Sequence, residues 1–516
     1  RRVLFRSRYL ILFAAWILVN PLFAQKKPNI IVVLADDMGF SDIGLFGSEI
    51  KTPNLDALGK KGVAFTQFYN AGRCCPSRAP LLTGMYPHQA GMGLMVNTGK
   101  YDHSKAYQPY QGFLSLETPT IAEELRKNGY QTFMSGKWHV GEQKEDWPNQ
   151  RGFDHYFGLI SGANSYYELL DRRQLVEDNQ KFNPDSNFYM TDAISNKAIQ
   201  YLKTAKSEKP FFLYVAYTAP HWPLHAPKKV IDQYRETYRK GWEKLREERF
   251  ARQQKSGLLA NIHELPPMDP ALARFDTLKN PSEYIDKMAT YAAMMQIMDE
   301  GIGRIMQEVK AKGEWDNTVF MFLSDNGACH EILDDRSVRD LGEAGYQKSL
   351  ITPVGAKGSY TTYGKEWASA GNTPFRMYKH WMHEGGISTP LIVHYPKLIK
   401  KGFQTNQVGH IMDLFPTLLD IGQINPSKAI QGKSLLPILK QKIRDPHPFI
   451  AWEHQGNRAI REGDWKLVWD DEVKKWELYN LKNDRIEAHD LANSMPEKRN
   501  DLLKKYTQWA TNLGVK

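Results

Sequence analysis

The chain has 516 residues, room for roughly two to four domains at about 150 residues each and for a large core. Hydrophobic residues at 41%, charged residues at 24% and a mean hydropathy of −0.54 exclude a polytopic membrane protein and a disordered chain. Three cysteines (Cys74, Cys75 and Cys329) exclude a disulfide framework, and 68 basic against 58 acidic residues give +10, which suits anionic substrates but is too diffuse to point to nucleic acid.

The first element is arginine at positions 1, 2, 6 and 8, an apolar run from Tyr9 to Val19, then Pro21-Leu22-Phe23-Ala24 before polar Gln25-Lys26-Lys27. This pattern predicts a secretory signal over 1–24, whose removal takes four arginines and no acids and lowers the charge from +10 to +6. The apolar run is shorter than the roughly 20 residues a spanning helix needs. A secreted or periplasmic chain without stable membrane insertion is therefore expected, with an uncleaved anchor as the alternative.

From Asn29 onward short apolar runs alternate with longer amphipathic stretches, which predicts an α/β fold with a large, mostly parallel sheet flanked by helices. Ile30 to Leu34 is a buried strand that stops at Asp36-Asp37-Met38-Gly39. Cys74-Cys75-Pro76-Ser77-Arg78 opens a helix, with Pro76 in its first turn and Leu81-Leu82 on its buried side. Tyr130 to Phe133 leads into Gly136-Lys137-Trp138-His139, and Phe211 to Ala216 into Pro220-His221-Trp222-Pro223. Lys228 to Lys255 is dense in Lys, Arg and Glu around Val230, Tyr234, Tyr238, Trp242 and Leu245, and reads as a solvated helical insertion over about 228–275.

Ser282 to Lys310 has helical spacing, and Val319 to Leu323 is a further buried strand, stopping at Asp325-Asn326-Gly327. The tail from 406 predicts a smaller α+β subdomain: a helix over 412–419, antiparallel strands over 449–453, 459–461, 465–469 and 476–480, and a last helix over 496–513. Residues 25–405 are then the main α/β domain and 406–516 the C-terminal subdomain.

In open α/β sheets the ligand lies beyond the carboxyl ends of the strands, so four polar clusters just past four strand ends are expected to converge. An isolated Asp-Asp or Asp-Asn after a strand is ordinary turn chemistry, but four ends with complementary chemistry are not. Cys74 falls at a helix N-terminus, where partial positive charge stabilises a nucleophile or anion. The plainer readings are a buried structural thiol or a strained Cys74-Cys75 disulfide.

Cys74-x-Pro76-Ser77-Arg78, followed by Thr83-Gly84, resembles the signature of type I sulfatases in the alkaline phosphatase superfamily. The resemblance implies an alkaline phosphatase-like sheet and oxidation of Cys74 to formylglycine by a formylglycine-generating enzyme or sulfatase maturase. The hydrated aldehyde is then the nucleophile, Arg78 positions it, and Cys75 fills a variable position. Asp36, Asp37, Asp325 and Asn326, together with Cys74, match the family's metal site. Four oxygen donors without histidine call for a hard cation, calcium or magnesium, rather than zinc. Gly136-Lys137-Trp138-His139-Val140-Gly141 is similar to the second signature and supplies Lys137 and His139. His221 matches the histidine near the leaving oxygen, and Lys379, before Glu384-Gly385-Gly386, the second sulfate-binding lysine. Ser388-Thr389-Pro390 departs from relatives that carry an arginine before the proline, which puts subfamily in doubt.

In this reading Lys137, His221 and Lys379 bind the sulfate ester, His221 is the general acid and His139 accepts a proton as sulfate leaves. The expected function is hydrolysis of sulfate monoesters, arylsulfatase-type, on a sulfated small molecule or glycan. A phosphonate or phosphodiester hydrolase, and a sulfated-glycan-binding protein with unmodified Cys74, are the alternatives. Trp138, Trp222, Trp367 and Trp381 are candidates for stacking on sugar rings or for the core. His225 and His383 read as exposed, ordinary histidines, and Cys329-His330 as a soft-metal pair short of the ligand count zinc needs.

Overall fold

The structure is a computed structural model that describes residues 26–97, 99, 108–259 and 262–516. The predicted signal over 1–24 lies outside the described residues. Its strands in chain order are β1 (Asn29–Ala35), β2 (Val63–Tyr69), β3 (Gln131–Gly136), β4 (His155–Leu159), β5 (Leu175–Glu177), β6 (Gln180–Lys181), β7 (Phe211–Ala216), β8 (Thr318–Ser324), β9 (Ser388–His394), β10 (Phe403–Thr405), β11 (Gly409–His410), β12 (Ile450–His454), β13 (Asn457–Glu462), β14 (Trp465–Asp470) and β15 (Lys475–Asn480).

The first eleven form one sheet in the order β10-β2-β9-β8-β1-β7-β3-β4-β5-β6, with β11 also on β2. At its centre β8, β1, β7 and β3 run parallel, Val32 pairing with Tyr214 on one side and Met321 on the other. Strand β9 is antiparallel to both neighbours, and so are β5 and β6 to theirs. Every residue of β1, β7 and β8 is buried, which explains why these strands read as unbroken apolar runs.

Period-two geometry divides β1 between two cores. Ile31 and Val33 pack with the Met190–Thr204 and Ser282–Ala311 helices, whereas Ile30, Val32 and Leu34 pack with the Cys74–Thr83, Ile121–Lys127 and Leu414–Ile421 helices. Each fully buried aliphatic side chain contributes roughly 1.5–3 kcal/mol, so these two layers hold the sheet ends in a fixed frame.

A second, antiparallel sheet in the order β12-β13-β14-β15 carries the Pro496–Leu513 helix. It begins at Ile450, and the segment after 406 first continues the large layer: β11 pairs with β2, and Ile411, Leu414 and Leu418 join the second core. The charged insertion departs from the expected solvated helix. It forms helices Lys228–Ile231, Arg235–Tyr238 and Gly241–Ser256, in which Trp242, Leu245 and Arg249 are fully buried. Arg249 is held by Asp42 at 2.6 Å and Glu49 at 2.8 Å, so charge partners distant in sequence turn a nominally polar helix inward. Among the described residues, no helix is long and apolar enough to cross a membrane.

Candidate active site

The carboxyl ends of β1, β3, β7 and β8 are neighbours in the sheet, and each delivers its polar cluster to one buried spot. β1 releases Asp36 and Asp37, the latter at φ +67. β3 ends at Gly136, φ +121, where a Cβ would lie 1.9 Å from the Ala216 carbonyl; only glycine lets the chain turn Lys137 inward there. β8 releases Asp325 and Asn326, and β7 the segment Ala219-Pro220-His221-Trp222-Pro223, whose two X-Pro bonds are cis. The Cys74–Thr83 helix starts at Cys74, with Arg73 extended at its N-cap and Leu81 and Leu82 in the core, as the sequence predicts.

The charges interlock. Lys137 Nζ is 2.7 Å from Asp36 Oδ2, and Lys379 Nζ 2.8 Å from Asp37 Oδ2. Arg78 donates to Asp325 Oδ2 and to the Lys137 carbonyl, both at 2.8 Å, and lies 3.4 Å from Asp36 Oδ1. Asn326 Nδ2 donates to Asp37 Oδ1 at 2.7 Å, and the Asp37 amide to Asp325 Oδ1 at 3.1 Å. His221 Nε2 is 3.4 Å from Asp37 Oδ2, while its Nδ1 donates to the Trp222 carbonyl at 2.6 Å. Cys74 Sγ lies 3.8 Å from Asp37 Oδ1. One ligand atom from each of Asp36, Asp37, Cys74 and His221 falls within 4.8 Å of the others.

Burial and this field set the proton affinities. Burial raises Asp36 above the carboxylate range, with Lys137 opposing and Asp325 adding to it. For Asp37 burial is outweighed by Lys379 and His221, which hold it well below that range. Burial pushes the Cys74 thiol far up despite Lys137 and Lys379, so as a thiol it stays protonated and a poor nucleophile. Burial lowers His221 to about 3, with Asp37 opposing, and lowers His139 together with the positive charge of Lys137 and Arg78.

The donor set fits a hard cation. Asp36 Oδ1 and Asn326 Oδ1 are buried without a hydrogen-bond partner, and Asp37 and Asp325 add further oxygens. Cys329 and His330 are not among the ligand atoms that approach one another in the group found among the described residues, which is Asp36, Asp37, Cys74 and His221.

His139 stands against Cys75, Nε2 to Sγ 3.4 Å, so the residue at the variable position touches a predicted site histidine. Trp138 and Trp367 are core residues, their Nε1 groups donating to the carbonyls of Asp146 and Tyr284. Trp222 stays beside His221, ring centroids 4.5 Å apart. His225 and His383 are buried rather than exposed: His225 is fixed by the Ser359 carbonyl at 2.7 Å, and His383 by Glu477 at 2.9 Å. Sequence reasoning missed Glu331, which accepts from Arg73 and Trp222 Nε1 at 2.9 Å and lies 3.7 Å from Lys379. No spacing pattern marks it; these three partners come from three separate segments.

Comparison with known proteins adds to this geometry. A family model described as Sulfatase matches residues 28–424, and one described as N-sulphoglucosamine sulphohydrolase, C-terminal, matches residues 375–511. An uncharacterized sulfatase of Schizosaccharomyces pombe is 35% identical over 95% of both chains. An arylsulfatase of Klebsiella aerogenes is 33% identical over 80% of this chain and 91% of its own. The crystal structure of Ps i-CgsB in complex with k-i-k-neocarrahexaose superposes with a TM-score of 0.69 at 26% identity, covering 94% of this chain and 93% of that one.

Proposed function

Because the chain belongs to the sulfatase family and is a sulfuric ester hydrolase, we propose three finer features: a formylglycine nucleophile made from Cys74, a calcium or magnesium ion among Asp36, Asp37, Asp325 and Asn326, and a sulfated carbohydrate as natural substrate. The observation that carries this reading is the meeting of Asp36, Asp37, Cys74 and His221 within 4.8 Å, with Lys137 and Lys379 on the two carboxylates. The neocarrahexaose held by Ps i-CgsB supports the carbohydrate.

When bound, the cation would supply positive charge for the sulfate oxygens, and the hydrated aldehyde the attacking hydroxyl. The Asp325 carboxylate takes the proton of that hydroxyl as the hydroxyl oxygen bonds to sulfur and the bond to the leaving oxygen breaks. Lys137 and Lys379 clamp the sulfate oxygens, so charge is stabilised by groups already fixed in place. Arg78, tied to both the Lys137 carbonyl and Asp325, locks the base of the clamp. His221 points Nε2 into the site because Nδ1 is committed to the Trp222 carbonyl; the anionic ester entering beside it favours a proton there, and that proton goes to the leaving oxygen. His139, kept neutral by burial, accepts the proton as sulfate is released.

The reading includes a maturase that converts Cys74 and export of the chain to the periplasm or outside, supported by the arginine-flanked apolar run over 1–24. Intact-peptide mass spectrometry tests it. Replacing CH2SH by CHO makes the Cys74 peptide lighter, and the same preparation is expected to cleave 4-nitrophenyl sulfate in preference to a phosphonate ester. An unconverted Cys74 in active enzyme, or a strong preference for the phosphonate, overturns it.

A further inference from the structure

Beside the sulfate clamp lies a set of polar atoms that the fold leaves unsatisfied. Arg73 Nε, Trp381 Nε1 and His454 Nε2 are buried without a hydrogen-bond partner among the described residues. Their side chains are almost fully hidden, at 9%, 4% and 0% exposure. Each unpaired group of this kind costs about 1–3 kcal/mol, so three on adjoining side chains call for a ligand that supplies the partners.

Trp381 and His454 adjoin through the half-buried His380, with half-buried His330 on the other side of Trp381, and the charge of Arg73 acts on all three histidines. The His330 ring lies 4.7 Å from Trp381, and the His380 ring 5.4 Å from Trp381 and 6.0 Å from His454. His380 is held at φ +91, a strained conformation for a non-glycine residue, by its amide donating to the Gly72 carbonyl at 2.8 Å. The set abuts the reacting groups: Arg73 precedes Cys74, His380 follows Lys379, and Glu331 bridges Arg73 at 2.9 Å and Lys379 at 3.7 Å.

The hydrogen-bonding roles define the ligand. Arg73 Nε and Trp381 Nε1 only donate. His454 Nδ1 donates to the Gly93 carbonyl at 3.1 Å, and burial together with the charge of Arg73 keeps the ring neutral, so Nε2 only accepts. Donors and an acceptor mixed on a wall of rings match a ring bearing several hydroxyls, which both accept and donate. A second sulfate or a carboxylate accepts only, and an aryl group does neither.

We propose that Arg73, Trp381 and His454, with His330 and His380, seat the sugar ring that carries the sulfate ester. The small C-terminal sheet thereby completes the site, since His454 is the last residue of β12. This rests on the sulfatase reading above.

Two conservative variants test it. Trp381→Phe keeps the ring contacts and removes one donor; His454→Asn keeps a donor for Gly93 and removes the acceptor. For each, kcat and KM are measured on 4-nitrophenyl sulfate and on a panel of hexose and N-acetylhexosamine monosulfates. One lost hydrogen bond corresponds to about tenfold, so kcat/KM on the best sugar sulfate is expected to fall about tenfold more than on the aryl sulfate, chiefly through KM. Equal losses on both substrates in both variants overturn the subsite and leave the proposed function standing, whereas no cleavage of any sugar sulfate by the wild type overturns the subsite and the carbohydrate substrate and leaves sulfate-ester hydrolysis standing. Failure of the wild type to cleave 4-nitrophenyl sulfate overturns both.

Discussion

Replacing His221 by alanine separates proton donation from clamping. In the structure the imidazole carries little of the fold: it gives one hydrogen bond to the adjacent Trp222 carbonyl, worth about 1 kcal/mol, lies tilted at 45° to that indole and stands 3.4 Å from Asp37. Asp37 still accepts from Lys379 at 2.8 Å and Asn326 at 2.7 Å, and the Tyr166 hydroxyl still holds the residue 221 carbonyl at 2.9 Å. His221→Ala is thus expected to fold with its clamp intact and to lose the general acid, a change of about 10²- to 10⁴-fold, or about 3–5 kcal/mol. The loss must depend on the leaving group, because nitrophenolate departs without a proton and an alkoxide does not. Measured side by side, kcat/KM is expected to fall less than about tenfold on 4-nitrophenyl sulfate and at least about 100-fold on phenyl or sugar sulfates. Equal losses across that series would refute the assignment and leave His221 a positioning residue.

Chelation is expected to abolish activity and added calcium or magnesium to restore it; at a hundred times its Kd the ion stabilises the fold by about 2.7 kcal/mol, read as a rise in urea midpoint. An unchanged midpoint in Asp36→Ala under the same addition ties that rise to the site. In the seam between the sheets, Lys466 Nζ is 3.0 Å from Glu384 Oε1 and 2.8 Å from Glu487 Oε1, all fully buried. Lys466→Met leaves Glu384 its pair with Arg485 at 3.1 Å but takes the cation from Glu487, and is expected to cost about 3–5 kcal/mol in urea unfolding, with at least half regained when Glu487→Gln is added. Burial works against ionisation of Asp413, but His447 at 2.7 Å and Arg444 at 2.8 Å hold it down at about 2 against an ordinary 3.8. A carboxyl lowered by folding stabilises fully above its unfolded value and loses that as pH falls through its folded value. About 2 kcal/mol should therefore disappear between pH 4 and 2, and Asp413→Asn should flatten the urea midpoint over that window.

Much of the site was legible because its chemistry sits at strand ends. Asp36-Asp37, Lys137, His221 and Asp325-Asn326 each follow an apolar run, and an apolar run is a local property of the chain. The helix opening at Cys74 was legible for the same reason, as was the terminal helix Pro496–Leu513. Long-range pairing was not. Arg249 turns inward for Asp42 and Glu49, about 200 residues away, His383 is buried against Glu477, and Arg73 meets Trp222 and Lys379 only through Glu331.

The sequence alone determined which side chains leave the sheet and with what charge, since periodicity and the residue after each strand decide that within a few positions. Tertiary structure decided which of those charges share a dielectric. A lysine is a solvated cation or a buried clamp according to whether a carboxylate from another strand end stands about 3 Å from it, and that neighbour is chosen by strand order, which no single segment encodes.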